Sequence, residues 1–302
     1  MIYLSICIPT YQRVEATRDT IKSIYDDIGG VSLEEFEVIV SDNDPNKSSQ
    51  CFEEEFLYSN FHYKYTNCIG FLNSYYVLGY GKGMLLKLHN NTGRFASGAL
   101  KRMIEFSKQH YIDKPAIFYS NNFFKKNSII EYRDINNYLL GLGYLASWSA
   151  GFCIWREHYW EYKDIENINK MFPQTSLLLS CIEKSNIFYI DDTITRLNRK
   201  EGTKIEKRGG YNQFEVFGVQ FNDLIFSFYQ KGLIQKETYI QIKEELLKTF
   251  LTSSFIKTVI LKKDNFDTTN INKHLTKHYG RFAYLRLWIY VVCKCISKIK
   301  RK

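Results

Sequence analysis

The stretch SICIPTYQR, residues 5–13, runs an apolar strand straight into Pro-Thr-Tyr-Gln-Arg, and EFEVIVSDNDP, residues 35–45, repeats the plan with Ser-Asp-Asn-Asp-Pro at its end. Near-continuous apolar runs of this length read as strands buried on both faces, as in a parallel sheet. Between them, Thr17, Ile21, Ile24, Tyr25 and Ile28 recur at helical spacing, which predicts a helix over 14–28. Strand, helix, strand with polar clusters at both strand exits is the beginning of an α/β fold, and sites in such folds lie beyond the carboxyl ends of the strands.

The alternation continues. SSQCFEEEFLYS reads as a short helix with a Ser cap, FHYKYTN as a third strand, FLNSYYVLGYG as a helix and GMLLKLHNN as a fourth strand. SGALKRMIEFSKQH is a further helix and AIFYSNN a fifth strand. The order implies a mostly parallel sheet with helices on both faces through about residue 125. From 126 to 217 the pattern loosens, and 219–262 reads as helical again, with Phe221, Leu224, Ile225 and Phe228, then Ile242, Leu246, Leu247 and Phe250 at helical spacing.

Composition excludes several classes. Of 302 residues 45% are hydrophobic, which is globular and not disordered. The net charge of +9 suggests nucleic acid at first, but seven Lys/Arg and no acid fall between Arg281 and Lys302, so most of the excess belongs to a tail and no nucleic-acid partner is expected. Seven scattered cysteines without a CxxC fit neither a zinc site nor a disulfide framework and point to a reducing cytosol. The opening apolar run lacks the marks of a signal peptide, and LWIYVVC at 287–293 is too short to span a bilayer.

Asp42 admits two readings. As an acceptor-only carboxylate at a strand mouth it suits a uracil N3–H or ribose hydroxyls; in Ser-Asp-Asn-Asp-Pro it equally suits an Asx-turn or cap. The Pro9-Thr10-Tyr11 turn beside it favours a nucleotide, because the proline stiffens the exit and Tyr11 is positioned to cover a base.

Here the sequence resembles a known family. LSICIPTYQR followed by EVIVSDNDP looks like the amino-terminal half of the GT-A family 2 glycosyltransferases, which use nucleotide-sugar donors. TNCIGFLNSYY is similar to the family's Asn-x-x-Gly-x-x-x-Asn helix start, and GMLLKLHNNTGRFASGAL falls where the family has a strand, an acidic DXD-type motif and a Ser-Gly-Ala-Leu helix start. The resemblance covers residues 3–105 well and continues through SAGFCIWR and FPQTSLLL to about 217. It implies a GT-A domain over 1–217, with a nucleotide-binding half (1–125) and an acceptor half (126–217), followed by a helical region over 218–302. It also implies that Pro9, Thr10, Tyr11, Arg13 and Asp42 line the nucleotide pocket. The activity implied is inverting transfer of a sugar, of hexosyltransferase type, from a donor such as a UDP-sugar. The acceptor would be a hydroxyl of a polysaccharide or lipid-linked oligosaccharide in bacterial capsule, O-antigen or lipopolysaccharide assembly.

The chain departs from that family at the diphosphate. Where the family places aspartates that hold Mg²⁺ or Mn²⁺, it has Asn90 and Asn91, and an amide oxygen brings no negative charge to a hard cation. Either Asn91 still holds a metal together with the donor phosphates, or cations replace it, with Arg94 and with Lys204, Lys207 and Arg208 of GTKIEKRGGYN as candidates. Inversion needs a general base. Asp191 and Asp192 are candidates from the second half, with structural capping as the alternative, and His89 and His158 are further candidates. The missing acids leave room for a second reading, a catalytically impaired protein that binds a nucleotide-sugar or glycan as a scaffold.

The carboxyl-terminal stretch 281–302 forms a basic amphipathic helix in projection. Leu285, Trp288, Ile289, Val292, Ile296 and Ile299 share one side, with Arg286, Lys294, Lys298 and Arg301 opposite. Such a helix suits an anionic membrane surface, or else packing against its own domain or a partner, and predicts a cytoplasmic protein peripheral on the inner face of the cell membrane.

Overall fold

A computed structural model describes residues 1–26, 28–162, 168–198 and 209–299. In chain order the first elements are β1 (Leu4–Thr10), α1 (Val14–Tyr25), β2 (Phe36–Asp42), α2 (Phe52–Glu55), β3 (Phe61–Tyr65), α3 (Asn73–Gly79), β4 (Leu85–Leu88), β5 (Arg94–Phe95) and α4 (Ala99–His110). There follow β6 (Ala116–Tyr119), β7 (Ile129–Tyr132), α5 (Ile135–Leu142), β8 (Cys153–Trp155), α6 (Arg156–Glu161), α7 (Pro173–Ile182), β9 (Phe188–Asp191) and β10 (Arg196–Leu197).

The central sheet has the order β3-β2-β1-β4-β8, parallel except for β8. Its inner strands are buried on both faces. Leu4, Ile6 and Ile8 pack with Ile21 and Ile24 of α1 and Leu100, Met103 and Ile104 of α4 in one cluster, and α3 lies against β1 and β2. The α/β reading with a parallel-rich sheet between helices therefore holds.

Several details differ from the sequence reading. AIFYSNN does form a strand, β6, but in a second sheet of order β6-β9-β7. The place beside β4 is taken by β8, with Lys87 opposite Cys153 and Leu85 opposite Trp155. The short helix α2 begins at Phe52 with Cys51 at its N-cap and no side-chain cap, so the expected Ser cap is not formed. The helix expected to reach residue 28 ends at Tyr25.

The chain divides into two compact units, Met1–Tyr138 with Leu145–Thr203, and Leu139–Tyr144 with Lys204–Lys302. The second unit contains β11 (Gly209–Asn212), α8 (Gln213–Glu215), α9 (Asn222–Gln230), α10 (Lys236–Leu246), α11 (Thr252–Phe255), β12 (Asn265–Asp267), α12 (Ile271–Tyr279) and α13 (Ala283–Ile299). Its helices are interrupted by π-helical turns at Val216–Phe221, Leu247–Leu251 and Ile256–Ile260. Among the described residues no helix is long and apolar enough to cross a membrane.

Candidate active site

Strands β1 to β4 run in one direction. Strand β8 opposes β4, and an antiparallel bridge joins Phe118 of β6 to Phe152 just before β8, so β6 and its parallel neighbour β9 share that direction too. Their carboxyl ends open on one mouth, and the clusters singled out from the sequence stand around it.

Thr10 lies opposite Asp42 in the β1–β2 register, and Pro9 opposite Ser41. One buried side chain ties the two exits together. The Asn73 amide nitrogen donates to Ser41 O at 2.8 Å, Asn43 Oδ1 at 3.1 Å and Thr10 O at 3.3 Å, while its oxygen accepts the Ser41 hydroxyl at 2.5 Å. Because Ser41 spends its proton there, Thr66 donates to Ser41 and Tyr80 to Thr66 along the chain of hydroxyls beneath.

A second chain ties β1 to β4. Asn91 Nδ2 donates to Thr10 Oγ1 at 2.9 Å, and Thr10 shares a 2.9 Å bond with Thr17, whose own hydroxyl donates to Arg13 O. Thr10 is therefore the donor to Thr17. Above this floor Tyr11 is half exposed, and Gln12 adopts φ 54°, turning the chain sharply at the exit. Arg13 is exposed at the start of α1.

Asp42 is wholly buried. Its Oδ1 accepts the Asp44 amide and its Oδ2 the Ser49 amide, both at 2.9 Å, and Tyr63 Oη approaches Oδ2 at 3.4 Å. The carboxylate thus holds the 43–49 loop in shape, the turn-forming alternative that its sequence setting allowed. Burial first, then the neighbouring Asp42 carboxylate, push the Tyr63 phenol above its ordinary value.

At the β4 exit, Asn90 Oδ1 accepts from Ser149 Oγ at 2.7 Å, and His89 is buried with Nε2 bonded to Gly93 O at 2.7 Å. Burial first, then the nearby Lys87, hold the His89 pKa down to about 3, which favours the neutral ring. At the β9 exit, Asp191 Oδ1 accepts the Thr193 amide and hydroxyl. Asp192 accepts the Ser120 hydroxyl and the Phe124 and Lys126 amides on its two oxygens. Both aspartates hold loops at the mouth. His158 follows β8, which runs against β4, so it stands at the other end of the sheet. A groove of about 1160 Å³ lined by Met84, Tyr111, Trp155 and Trp160 opens at that other end too, away from the strand exits. Lys204, Lys207 and Arg208 lie outside the described residues.

No family model matches the chain, and no curated protein matches it in sequence. Solved structures do match. S. aureus TarS 1–349 in complex with UDP-GlcNAc aligns with TM-score 0.61 at 14% identity, over 96% of this chain and 82% of that one. The longer S. aureus TarS structure aligns with TM-score 0.57 at 13% identity, this chain spanning 54% of it. The mannosyltransferase PcManGT from Pyrobaculum calidifontis, in complex with GDP-Man and Mn²⁺, aligns with TM-score 0.51 at 9% identity over 99% of this chain and 87% of that one. The chain has a glycosyltransferase fold.

Within that glycosyltransferase fold the donor set at the β4 exit does not suit a hard dication. It offers neutral amides, one oxygen of which is already bonded to Ser149, beside a neutral histidine bonded to a carbonyl. Among the described residues no group of three or more His, Cys, Asp or Glu comes together.

One cation at the mouth had escaped the sequence reading. Arg196 of β10 pairs with Phe95 of β5, which brings it across to the turn after β4. Its guanidinium Nη2 lies 3.5 Å from Thr92 O. The only signal in the sequence was a basic residue five positions past the end of β9.

Proposed function

We propose that the chain is an inverting glycosyltransferase that moves a sugar from a nucleotide diphosphate donor, a UDP-sugar, to a hydroxyl of a polysaccharide or lipid-linked acceptor in bacterial surface-glycan assembly. The observation that carries the reading is the paired exit of β1 and β2. Thr10 and Asp42 stand side by side, Asn73 bonds the backbone of both exits, and Tyr11, next in the chain, is half exposed. A cup of this kind suits a flat base, with Tyr11 stacking on it and loop 43–49 forming its wall. The ligands named with the S. aureus structures, UDP-GlcNAc and UDP, support a uridine donor. Pro9 and Arg13 belong to the rim of this cup, and Asn90, Asn91 and Arg94 to its diphosphate side. Catalysis would rest on holding the anomeric carbon open to in-line attack and on neutralising the departing diphosphate.

Isothermal titration with UDP, GDP and UDP-sugars tests the reading. Saturable binding of UDP and of a UDP-sugar, followed by acceptor-dependent UDP release, is the expected result; no binding of any of them would dispose of it. The bonded aspartates at the β9 exit favour one second reading, a nucleotide-sugar-binding scaffold. Binding without release in the presence of crude glycan acceptor would select that one.

An anionic membrane surface is proposed as a partner of α13. This helix buries Ala283, Leu287 and Val291 in its own unit and leaves Leu285, Trp288, Ile289, Val292 and Ile296 exposed. Leu285, Ile289, Val292 and Ile296 follow one another at steps of four, three and four, an apolar stripe along the helix. Two cations do not face outward as a helical projection suggests: Arg286 pairs with Glu244, and Lys294 bonds Ser253. The stretch from Arg281 still carries seven basic residues and no acid, and each cation near an anionic bilayer contributes about 1 kcal/mol. The protein should co-sediment with phosphatidylglycerol vesicles and not with phosphatidylcholine alone, and Ile289→Glu with Val292→Glu should abolish it. Equal binding to both vesicles, or a dimer in solution that the double substitution dissociates, would overturn the assignment.

A further inference from the structure

We propose that Arg196 binds the diphosphate of the donor, standing where a divalent cation would otherwise neutralise the leaving group. The inference rests on the nucleotide-sugar reading above and names the partner of its charged end.

The geometry carries it in three steps. First, the stem of Arg196 is held. Asn121 Oδ1 accepts both the Thr195 amide at 2.9 Å and the Arg196 amide at 2.7 Å, and Arg102 Nη2 grips Ile194 O at 2.8 Å. The rungs between β5 and β10 hold the same segment from the other side, with Ala96 N donating to Thr195 O at 3.1 Å. Second, the chain makes room for the guanidinium. It lies along Gly93, in the turn closed by the Gly93 amide on Asn90 O at 3.2 Å. A methyl group on Gly93 would come within 2.6 Å of Arg196 Cζ and overlap its Nε and Cδ. Glycine is the residue that lets an arginine pass at this exit.

Third, the segment that carries this exit is basic, although Asp191 and Asp192 stand at the neighbouring β9 exit, bonded to their own loops. From Lys87 to Arg102 the sequence has four Lys/Arg and no acid. The two asparagines at the strand end supply dipoles but no charge, so a diphosphate leaving with extra negative charge needs cations from elsewhere. A guanidinium is suited to this: it stays charged at any working pH and presents paired donors that match two phosphate oxygens. Arg196 is partly exposed as a residue, with its Nε buried and its Nη2 on Thr92 O at the β4 exit.

The test compares UDP with uridine, which lacks the phosphates, by titration calorimetry in EDTA and in MnCl₂. The proteins are the wild type, Arg196→Ala, Arg196→Lys and Gly93→Ala, with thermal unfolding to verify folding. Wild type should bind UDP equally in EDTA and MnCl₂. Arg196→Ala should weaken UDP by about tenfold to a hundredfold, the range for a hydrogen-bonded charged contact, and leave uridine unaffected. Gly93→Ala, which keeps the charge and displaces it, should lose UDP affinity in the same selective way, and Arg196→Lys should fall between. UDP affinity of Arg196→Ala within about twofold of wild type, or wild-type binding that EDTA abolishes and Mn²⁺ restores, overturns the proposal. Wild type that binds neither UDP nor uridine sinks the nucleotide reading itself, and this inference with it.

Discussion

Replacing Asp42 with Ala should destabilise the first unit by about 3 kcal/mol and remove measurable UDP binding with it. The size follows from its two amide partners. The Asp44 and Ser49 amides each lose a 2.9 Å bond in a place closed to water, and a buried group left unbonded costs about 1–3 kcal/mol. The loop they belong to forms the wall of the proposed nucleotide cup, so the loss reaches the ligand through shape. Asp42→Asn should lie between, since one of its ends presents an NH₂ to an amide donor. Urea unfolding gives the stability and calorimetry the UDP affinity. Lost affinity with unchanged stability would mean that the carboxylate meets the ligand directly; both unchanged would remove the role assigned to it.

The second large effect is a pH dependence. Lys87, in the middle of β4, is almost wholly buried, with its ammonium donating to Leu88 O at 2.6 Å and to Ala150 O, 5.4 Å from the centre of the Tyr119 ring. Burial, offset in part by the Cys153 and Cys7 thiols and assisted by Arg196, brings its pKa from 10.5 down to about 8. Below pH 8 both the folded and unfolded chains carry the proton and the burden is constant. Between pH 8 and 10.5 the unfolded chain holds more protons, so the stability due to this group rises with pH, by roughly 3 kcal/mol in total. Tyrosines that titrate in the same range cancel when wild type is compared with Lys87→Met. Urea unfolding of the two at several pH values from 7.5 to 10 should show wild type gaining steadily on the variant; a constant difference would refute it.

How much of this was legible in the sequence varies by element. The strands β1 and β2 announce themselves because both their faces are buried, so apolar residues run without interruption. The polar clusters at their exits were legible as site candidates by their position at strand ends, while the turn chemistry of Ser-Asp-Asn-Asp-Pro left the role of Asp42 open, and the structure shows it holding the turn. The neighbour of β4 was not legible. Cys153–Trp155 is three residues long, too short for any periodicity, and it is chosen by its antiparallel fit to Leu85–Lys87. Asp42 could be read as a turn former, but which amides it accepts depends on how loop 43–49 folds back over β2. Arg196 was invisible for a plainer reason. Two-residue strands join it to Phe95, a hundred positions earlier in the chain, and only folding brings them together.

Asn73 separates what is free to vary in this protein from what is not. Its single amide gauges the gap between two strand ends from below, touching backbone and side chains of Thr10, Ser41 and Asn43 at once. Loops beyond these contacts could therefore be exchanged with the joint left intact, and a designer reshaping this end of the sheet should leave position 73 alone and work outward from it.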